Sequence, residues 1–188
     1  MNLQKQLRCV YLHAFFSTLR FTDAVWVALL AARGFSLAEI GLAEGVFHLT
    51  SLLCEVPSGM AADLLGRRRT LIFGGVLGVF SALAMASAPG LGLICTAMAL
   101  KALGYNMLSG TAEALIYDSL KMAGREKDYI KVDANASICM KIATALGSLA
   151  SLLAGVLRYA GYYLADAVSA LLSALAAARL EEPIVTDE

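Results

Sequence analysis

Long apolar stretches alternate with short polar segments along the chain. A helix needs about 20 apolar residues to cross the hydrocarbon core of a bilayer. Six stretches of that length can be laid along the sequence, and we predict helices over residues 9–32, 38–61, 70–88, 92–118, 132–157 and 161–179. The pattern predicts an all-α membrane protein with six transmembrane helices.

The composition agrees with a membrane protein. Hydrophobic residues make up 59% of the chain, charged residues 16%, and the mean hydropathy is +0.70. Soluble domains carry more charge than this. The formal net charge is +0, which argues against a nucleic-acid-binding protein because such a protein needs a basic face to offset phosphates.

Lysine and arginine are distributed unevenly between the two sets of predicted loops. If the N-terminus is cytoplasmic, the inner loops hold ten of these residues and the outer loops only two, Arg33 and Arg158. Cytoplasmic loops are enriched in lysine and arginine. We therefore expect both ends of the chain on the cytoplasmic side.

The first apolar stretch has a competing interpretation, a cleaved signal peptide with Lys5 and Arg8 as its basic start. Arg20 and Asp23 interrupt its apolar region, and no convincing small-residue cleavage sequence follows. We therefore assign this stretch to a retained membrane helix.

Ionisable residues inside the predicted helices are few and unevenly placed. They lie in the first, second, fourth and fifth helices, whereas the third has none and the sixth has only Asp166 before its terminal Arg179. Charges inside a bilayer are costly and usually face a bundle interior or an aqueous cavity. Helices one, two, four and five should line a polar cavity, and helices three and six should face lipid. The distribution repeats every three helices, as expected of two inverted three-helix units.

Eight ionisable residues are candidates for contact with a substrate or a coupling proton. Arg20 should lie near the bilayer midplane, with Asp23 one turn away and Lys101 at a similar depth. Buried carboxylates can exchange protons near neutral pH, which favours Asp23, Glu55 or Glu113 as the proton carrier. A structural network of ion pairs is the open alternative. The full set is Arg20, Asp23, Glu44, His48, Glu55, Lys101, Glu113 and Lys141.

Polar residues also form a stripe on each of two predicted helices. One stripe contains Glu44, His48, Ser51, Glu55 and Gly59, and the other contains Ser137, Lys141, Thr144, Ser148, Ser151 and Gly155. Each stripe can face a common cavity. The alternative is that the small residues only allow close helix packing, as we predict for Gly41 with Gly45 and for Gly74 with Gly78.

The segment 59–69, between the second and third predicted helices, contains two glycines, one acid and three arginines. It resembles the loop motif of the major facilitator superfamily, in which Gly, Asp, Gly and paired basic residues recur. The matching positions are Gly59, Asp63, Gly66, Arg67 and Arg68. The runs 55–59 and 113–120 are similar to those of bacterial members. Leu64 departs from the pattern, because the family usually has a basic residue there.

The resemblance implies a secondary transporter of the bacterial cytoplasmic membrane. Such a protein moves a small solute by alternating access, with ion or proton coupling, and is neither an enzyme nor dependent on a cofactor. The resemblance also implies a cytoplasmic latch, in which Asp63 engages a helix end in the opposite half and Arg67 or Arg68 pairs with Asp118. Within the chain, Asp63 could also cap the turn that follows it. The alternative is that the arginines only hold the loop inside.

The resemblance covers nearly the whole chain but corresponds to one six-helix half. We expect residues 1–180 to form the bundle and residues 181–188 to begin a cytoplasmic linker or tail. The implied partners are the lipid bilayer, a small-molecule substrate, and a second six-helix half or a second copy of the chain. The alternative function is a truncated, non-transporting membrane interaction protein. The substrate and the direction of transport stay open.

Other chemistries find little support in the sequence. The four cysteines and the two histidines are scattered without metal-ligand spacing, so we expect no metal site. No nucleophile motif typical of a membrane serine protease, no channel selectivity loop and no phosphate-binding loop is evident.

Overall fold

The computed structural model describes residues 2–150 and 158–183, and within these ranges all the regular structure is helical. This confirms the predicted all-α class for the described part of the chain. A short 3-10 turn at Glu126–Asp128 precedes the seventh α-helix. The α-helices are α1 Leu3–Thr18, α2 Trp26–Ala31, α3 Leu37–Leu65, α4 Arg67–Ser87, α5 Leu91–Leu108, α6 Thr111–Met122, α7 Tyr129–Leu149 and α8 Tyr159–Ala178.

Four helical stretches in the described residues are long and apolar enough to cross a membrane. They are Leu37–Leu65, Arg67–Ser87, Leu91–Met122 and Tyr159–Ala178. These correspond to the second, third, fourth and sixth predicted helices. The fifth predicted helix begins as α7, and its last residues, including Ser151 and Gly155, lie outside the described residues. The count of six stays a prediction.

Two of the predicted helices are interrupted. The first is divided into α1 and α2 by residues 19–25, where the N–H of Val25 donates to the carbonyl of Thr22 in a turn, at 2.8 Å. The fourth is divided into α5 and α6 at Ser109 and Gly110. Gly110 adopts a φ of 74°, a left-handed conformation that glycine tolerates and that interrupts a regular helix. We call residues 19–25 the α1–α2 break.

The principal contacts between helices form an open arc. Along it, α3 packs on α5, α5 on α4, α4 on α8, α8 on α1, and α1 on α7. The contact between α4 and α8 is the most extensive. The arc therefore has α4 and α8 at its centre and ends at α3 on one side and α7 on the other.

The central position of α4 and α8 corrects one expectation. Each exposes an apolar row, with Phe73 and Phe80 on α4 and Val168 on α8, and only this side can face lipid. The other sides carry small residues that bring the two backbones together. A Cβ at Gly75 would lie 2.8 Å from the Cβ of Ala174. Absence of charge therefore marks two helices that pack at the centre of the bundle on one side and expose an apolar row on the other.

The predicted glycine contacts are present on α4 and absent on α3. A Cβ at Gly74 would lie 3.1 Å from the carbonyl oxygen of Gly104, and one at Gly78 would lie 3.3 Å from the Cβ of Ala170. The prediction for Gly41 and Gly45 is wrong among the described residues, because a Cβ at either position would meet none of their atoms within 4 Å. The same open space surrounds Gly59. The difference arises because α3 is at an end of the arc.

Two apolar clusters stabilise the two ends of the bundle. One lies where α3 ends and α4 begins at Gly66, and it includes Leu71, Leu120 and Val132. We call this the motif end. The second cluster lies at the opposite end and includes Leu30 and Ile94. Each cluster is made of buried residues from several helices, so each end of the bundle has its own apolar core.

Candidate functional site

A cavity of about 390 Å³ lies inside the arc. Its lining comes from the α1–α2 break and from helices α1, α2 and α4 to α8, together with Phe47 of α3. The volume is in the range of small-molecule sites. The charged residues that line it are Arg20, Asp23, Lys101, Glu113, Asp133 and Asp166.

The cavity brings together four of the eight predicted site residues, namely Arg20, Asp23, Lys101 and Glu113. Glu44, His48 and Lys141 do not line it, and all three are exposed in the chain. Glu55 is also exposed and lines only a smaller pocket. The reason is architectural, because the polar stripes of α3 and α7 lie on the two helices that end the arc.

Asp166 anchors the α1–α2 break from α8. Its carboxylate accepts the backbone N–H of Phe21 at 2.6 Å and the hydroxyl of Thr22 at 2.5 Å. The residue is 4% exposed. An interrupted helix leaves backbone donors that must find partners away from water. The Asp166 carboxylate is the acceptor for these donors and so determines the position of the residues beside Phe21.

The opposite side of the break rests on α7. A Cβ at Gly147 would overlap the carbonyl oxygen of Arg20. Only glycine therefore allows the two backbones to approach this closely. The break is held between Gly147 of α7 and Asp166 of α8, and this presents Arg20 and Asp23 to the cavity.

Asp23 also contacts α5. The ammonium of Lys101 donates to the carboxylate of Asp23 at 3.3 Å. Their side chains are 38% and 56% exposed, respectively, so the pair is accessible to a solute. Arg20 points towards α4, with its Nη2 3.8 Å from the place of a Cβ on Gly78. The cavity thus presents two cations, Arg20 and Lys101, together with the Asp23 carboxylate.

His13 forms a second buried polar contact between α1 and α8. Its Nδ1 lies 3.0 Å from the hydroxyl oxygen of Ser173 and 3.2 Å from the carbonyl oxygen of the same residue. His13 is 2% exposed and lines the cavity. Because a buried polar ring needs such partners, the simplest role for His13 is to fix the packing of α1 on α8.

A smaller pocket of about 260 Å³ lies between α3 and α5. Ser51 and Asn106 bridge the two helices there, since the Ser51 hydroxyl donates to the Asn106 side-chain oxygen at 2.7 Å. The Asn106 amide returns a bond of 2.6 Å to the Ser51 carbonyl. Glu55 and Gly59 also line this pocket.

The motif end contains the expected ion pair between Arg67 and Asp118. The Nε atom of Arg67 donates to the Asp118 carboxylate at 2.6 Å. The side chains are 29% and 15% exposed, respectively, so the pair is partly shielded from solvent. It joins the start of α4 to α6.

The N-terminus of α4 is capped by Glu182 and not by Asp63. The carboxylate of Glu182 accepts the backbone N–H groups of Arg67 at 2.6 Å and of Arg68 at 2.8 Å. A carboxylate suits this position because the first amides of a helix have no partner within the helix. Asp63 is exposed near the end of α3. The sequence offered no signal for this cap, because 115 positions separate Arg67 from Glu182.

The chain around Glu182 also packs on α1. The N–H of Glu181 donates to the Gln6 side-chain oxygen at 2.9 Å, and the Gln6 amide donates to the Glu181 carbonyl at 2.9 Å. Leu180 is 2% exposed. Residues 180–182 are therefore part of the motif end, whereas residues 184–188 lie outside the described chain.

Sequence reasoning missed Asp166, His13 and Glu182 as parts of these sites. Asp166 had a signal, since it is the only acid in an otherwise apolar stretch, but α8 was expected to face lipid. His13 had no local partner in the sequence. In the described residues, no group of three or more His, Cys, Asp or Glu side chains could hold a metal ion.

Apolar helices of membrane-spanning length around a cavity lined by acids and bases define an integral membrane protein of the transporter class. The model of the Major Facilitator Superfamily matches residues 10–186. The chain therefore belongs to this superfamily of membrane transporters. A search of curated proteins gives no match to the chain.

Proposed function

We propose that this chain is a six-helix half of a secondary transporter that moves a small polar solute by alternating access. The observation that carries the proposal is the cavity between the two apolar clusters, with Arg20, Asp23, Lys101 and Glu113 in its lining. Charges in a membrane protein usually mark a substrate or ion pathway.

The Asp23 and Lys101 pair suggests how solute and proton are coupled. While Asp23 is ionised, it offsets the charge of Lys101 at 3.3 Å. Protonation of Asp23 would leave the Lys101 ammonium free to bind an anionic group on the solute. Arg20 provides a second cation for the same group, and Glu113 is the other candidate proton carrier. This scheme makes proton and solute binding mutually dependent.

The motif end fits the role of a cytoplasmic latch. The pair between Arg67 and Asp118 fixes the start of α4, while Asp63 is exposed and accessible to a helix end in the opposite half. The latch comprises Gly59, Asp63, Gly66, Arg67, Arg68 and Asp118. In alternating access, such a contact would form in one state and break in the other.

For the membrane arrangement we propose six spans and two inverted three-helix units, with both ends of the chain in the cytoplasm of a bacterial cell. α1 and α2 together would form the first span, and α7 would begin the fifth. The arc supports the repeat. Its spans pack in the order 2, 4, 3, 6, 1, 5. Exchanging spans 1, 2 and 3 with spans 4, 5 and 6 gives the same order read from the other end. The lysine and arginine distribution supports the orientation.

A solute screen tests the proposed function. The protein would be held in lipid nanodiscs at more than one copy per disc, and small polar solutes would be tested for an upward shift in Tm. Because Asn mimics the protonated carboxyl, Asp23→Asn should keep the binding of a confirmed anionic solute at least as tight as in the wild type and remove its dependence on pH. Lys101→Ala should weaken the same binding about tenfold or more, as expected for loss of a charged partner. Asp128→Asn is the matched control, because Asp128 pairs with Arg125 outside the cavity.

Uptake into vesicles completes the test. A solute found in the screen should accumulate in vesicles containing the wild-type protein when a proton gradient is imposed, and Asp23→Asn should abolish the dependence on the gradient. If vesicles containing well-folded protein accumulate none of the screened solutes under any gradient, the chain is better described as a non-transporting interaction protein.

A further inference from the structure

The two helices that end the arc carry opposite charge. α3 contains four acids and neither lysine nor arginine. α7 contains Lys131 and Lys141, both exposed, and one acid, Asp133, which lines the cavity. Isolated charge in a bilayer is unfavourable. Glu44 of α3 lies 3.9 Å from the His48 ring, whereas Glu55 of α3 and Lys141 of α7 are exposed and have no partner of opposite charge among the described residues.

The exposed side of α3 is also suited to close contact with another helix. Gly41, Gly45 and Gly59 recur at near-helical intervals along the side that carries Glu44 and Glu55. A Cβ at any of the three glycines would meet no atom of residues 2–150 or 158–183 within 4 Å. Small residues at this spacing allow membrane helices to pack closely. Within the described chain this surface is uncovered, although its residues are those of a packing surface.

We propose that the partner is a second copy of this chain, related by a two-fold axis along the membrane normal. The inference rests on the proposed function, because it identifies the second half of the transporter. In an arc whose open side lies between α3 and α7, a two-fold axis through that opening places α3 of each copy against α7 of its partner. The acidic edge of each copy then meets the basic edge of the other. Two arcs together enclose the cavity that one leaves open.

The depths of Glu55 and Lys141 in the bundle, measured from the motif end, identify the residues that pair across the interface. α3 ends and α7 begins at the same end of the bundle, since Arg67 contacts Asp118 and the ring of Tyr117 lies 5.7 Å from that of Tyr129. At 1.5 Å per residue, Glu55 lies about 15 Å before Leu65, and Lys141 about 18 Å beyond Tyr129. The two-fold arrangement therefore brings Glu55 of each copy to the depth of Lys141 of its partner, forming two equivalent ion pairs beside the shared cavity.

Cysteine cross-linking in the membrane tests the geometry. In a background where Cys9, Cys54, Cys95 and Cys139 are replaced by alanine, one tagged copy carries Glu55→Cys and a differently tagged copy carries Lys141→Cys. Co-expressed copies should form the mixed cross-link, and neither variant alone should cross-link. Leu83→Cys, on the exposed side of α4, paired with Lys141→Cys is the control and should give none. A cross-link between two copies of the Glu55→Cys chain, or none at all, would overturn the proposed interface.

Charge exchange tests the ion pair itself. Glu55→Lys and Lys141→Glu should each weaken self-association in vesicles about tenfold or more, because like charges then face one another. The double variant Glu55→Lys/Lys141→Glu should restore wild-type association. Each variant must first elute as a folded species in detergent. If the double variant associates no better than the single ones, the proposed pair is wrong.

The two proposals fail in different ways. Solute uptake without the mixed cross-link would support the transport function and refute the dimer. The second half would then be another polypeptide segment. If the mixed cross-link forms and the double variant restores association, but no solute binds, the dimer is supported and the transport function is refuted.

Discussion

At the scale of single residues, Asp166 has the strongest structural role in the cavity. Its two carboxylate oxygens satisfy one backbone N–H and one hydroxyl in the α1–α2 break, and it is almost fully buried. Its importance follows from the interruption of the helix, which creates donors that an intact helix would not leave unpaired. A charged acceptor provides the stronger class of hydrogen bond at this place.

Asp166→Ala should destabilise the protein by about 2–4 kcal/mol, since it removes both acceptors and leaves the Phe21 N–H buried without a partner. Asp166→Asn should cost less, because its carbonyl can still accept from Phe21. The free energy of unfolding would be measured by titration from mild detergent into sodium dodecyl sulfate. As a control, Asp128→Asn removes an exposed ion pair and should cost about 0.5 kcal/mol or less. Equal stability of Asp166→Ala and the wild type would contradict the anchoring role.

At the scale of helices, the decisive feature is how close their backbones can come. α4 meets α5 and α8 through glycines, and α7 meets the α1–α2 break through Gly147. Apolar periodicity predicted that these helices exist. It could not predict which of them are central, because an apolar residue is suited equally to lipid and to a helix interface.

Gly147→Ala should disturb the α1–α2 break, because the added Cβ would overlap the carbonyl oxygen of Arg20. Overpacking of this kind costs about 1–3 kcal/mol, and neither backbone can rotate away as a side chain would. Gly92→Ala is the matched control, since a Cβ at Gly92 would meet no atom within 4 Å. Hydrogen exchange at the Phe21 amide and the unfolding free energy would report the effect. Unchanged exchange in Gly147→Ala would show that the contact does not hold the break.

At the scale of the whole molecule, the open arc is incomplete as a transporter. Its cavity takes part of its lining from the apolar clusters at both ends of the bundle, yet Glu55 on α3 and Lys141 on α7 have no partner of opposite charge among the described residues. A membrane would make those charges unfavourable unless another bundle covered them. This is the physical reason to look for the second half.

The six-span topology predicts which loops are reachable from each side of the membrane. In a cysteine-free background, Arg33→Cys should react with a membrane-impermeant maleimide in intact cells, and Arg125→Cys should react only after the cells are opened. The reason is that three proposed spans, the second, third and fourth, separate the two positions. Labelling of both positions from the same side would exclude this topology.

The sequence by itself determined the class of the protein, four of the six predicted spans as apolar helical stretches, and, through the resemblance, the pairing of Asp118 with either Arg67 or Arg68. The length of an apolar stretch, the position of a glycine and the position of a charge can each be read from a short segment. A bilayer favours or disfavours such segments directly. Tertiary structure decided which charges meet. The interruption beside Arg20 is bonded to Asp166 at the cavity. The segment 180–182 after α8 brings Glu182 to the start of α4. The arc leaves Glu55 and Lys141 on its two end helices. These outcomes depend on contacts between residues far apart in the chain, which periodicity and composition do not encode.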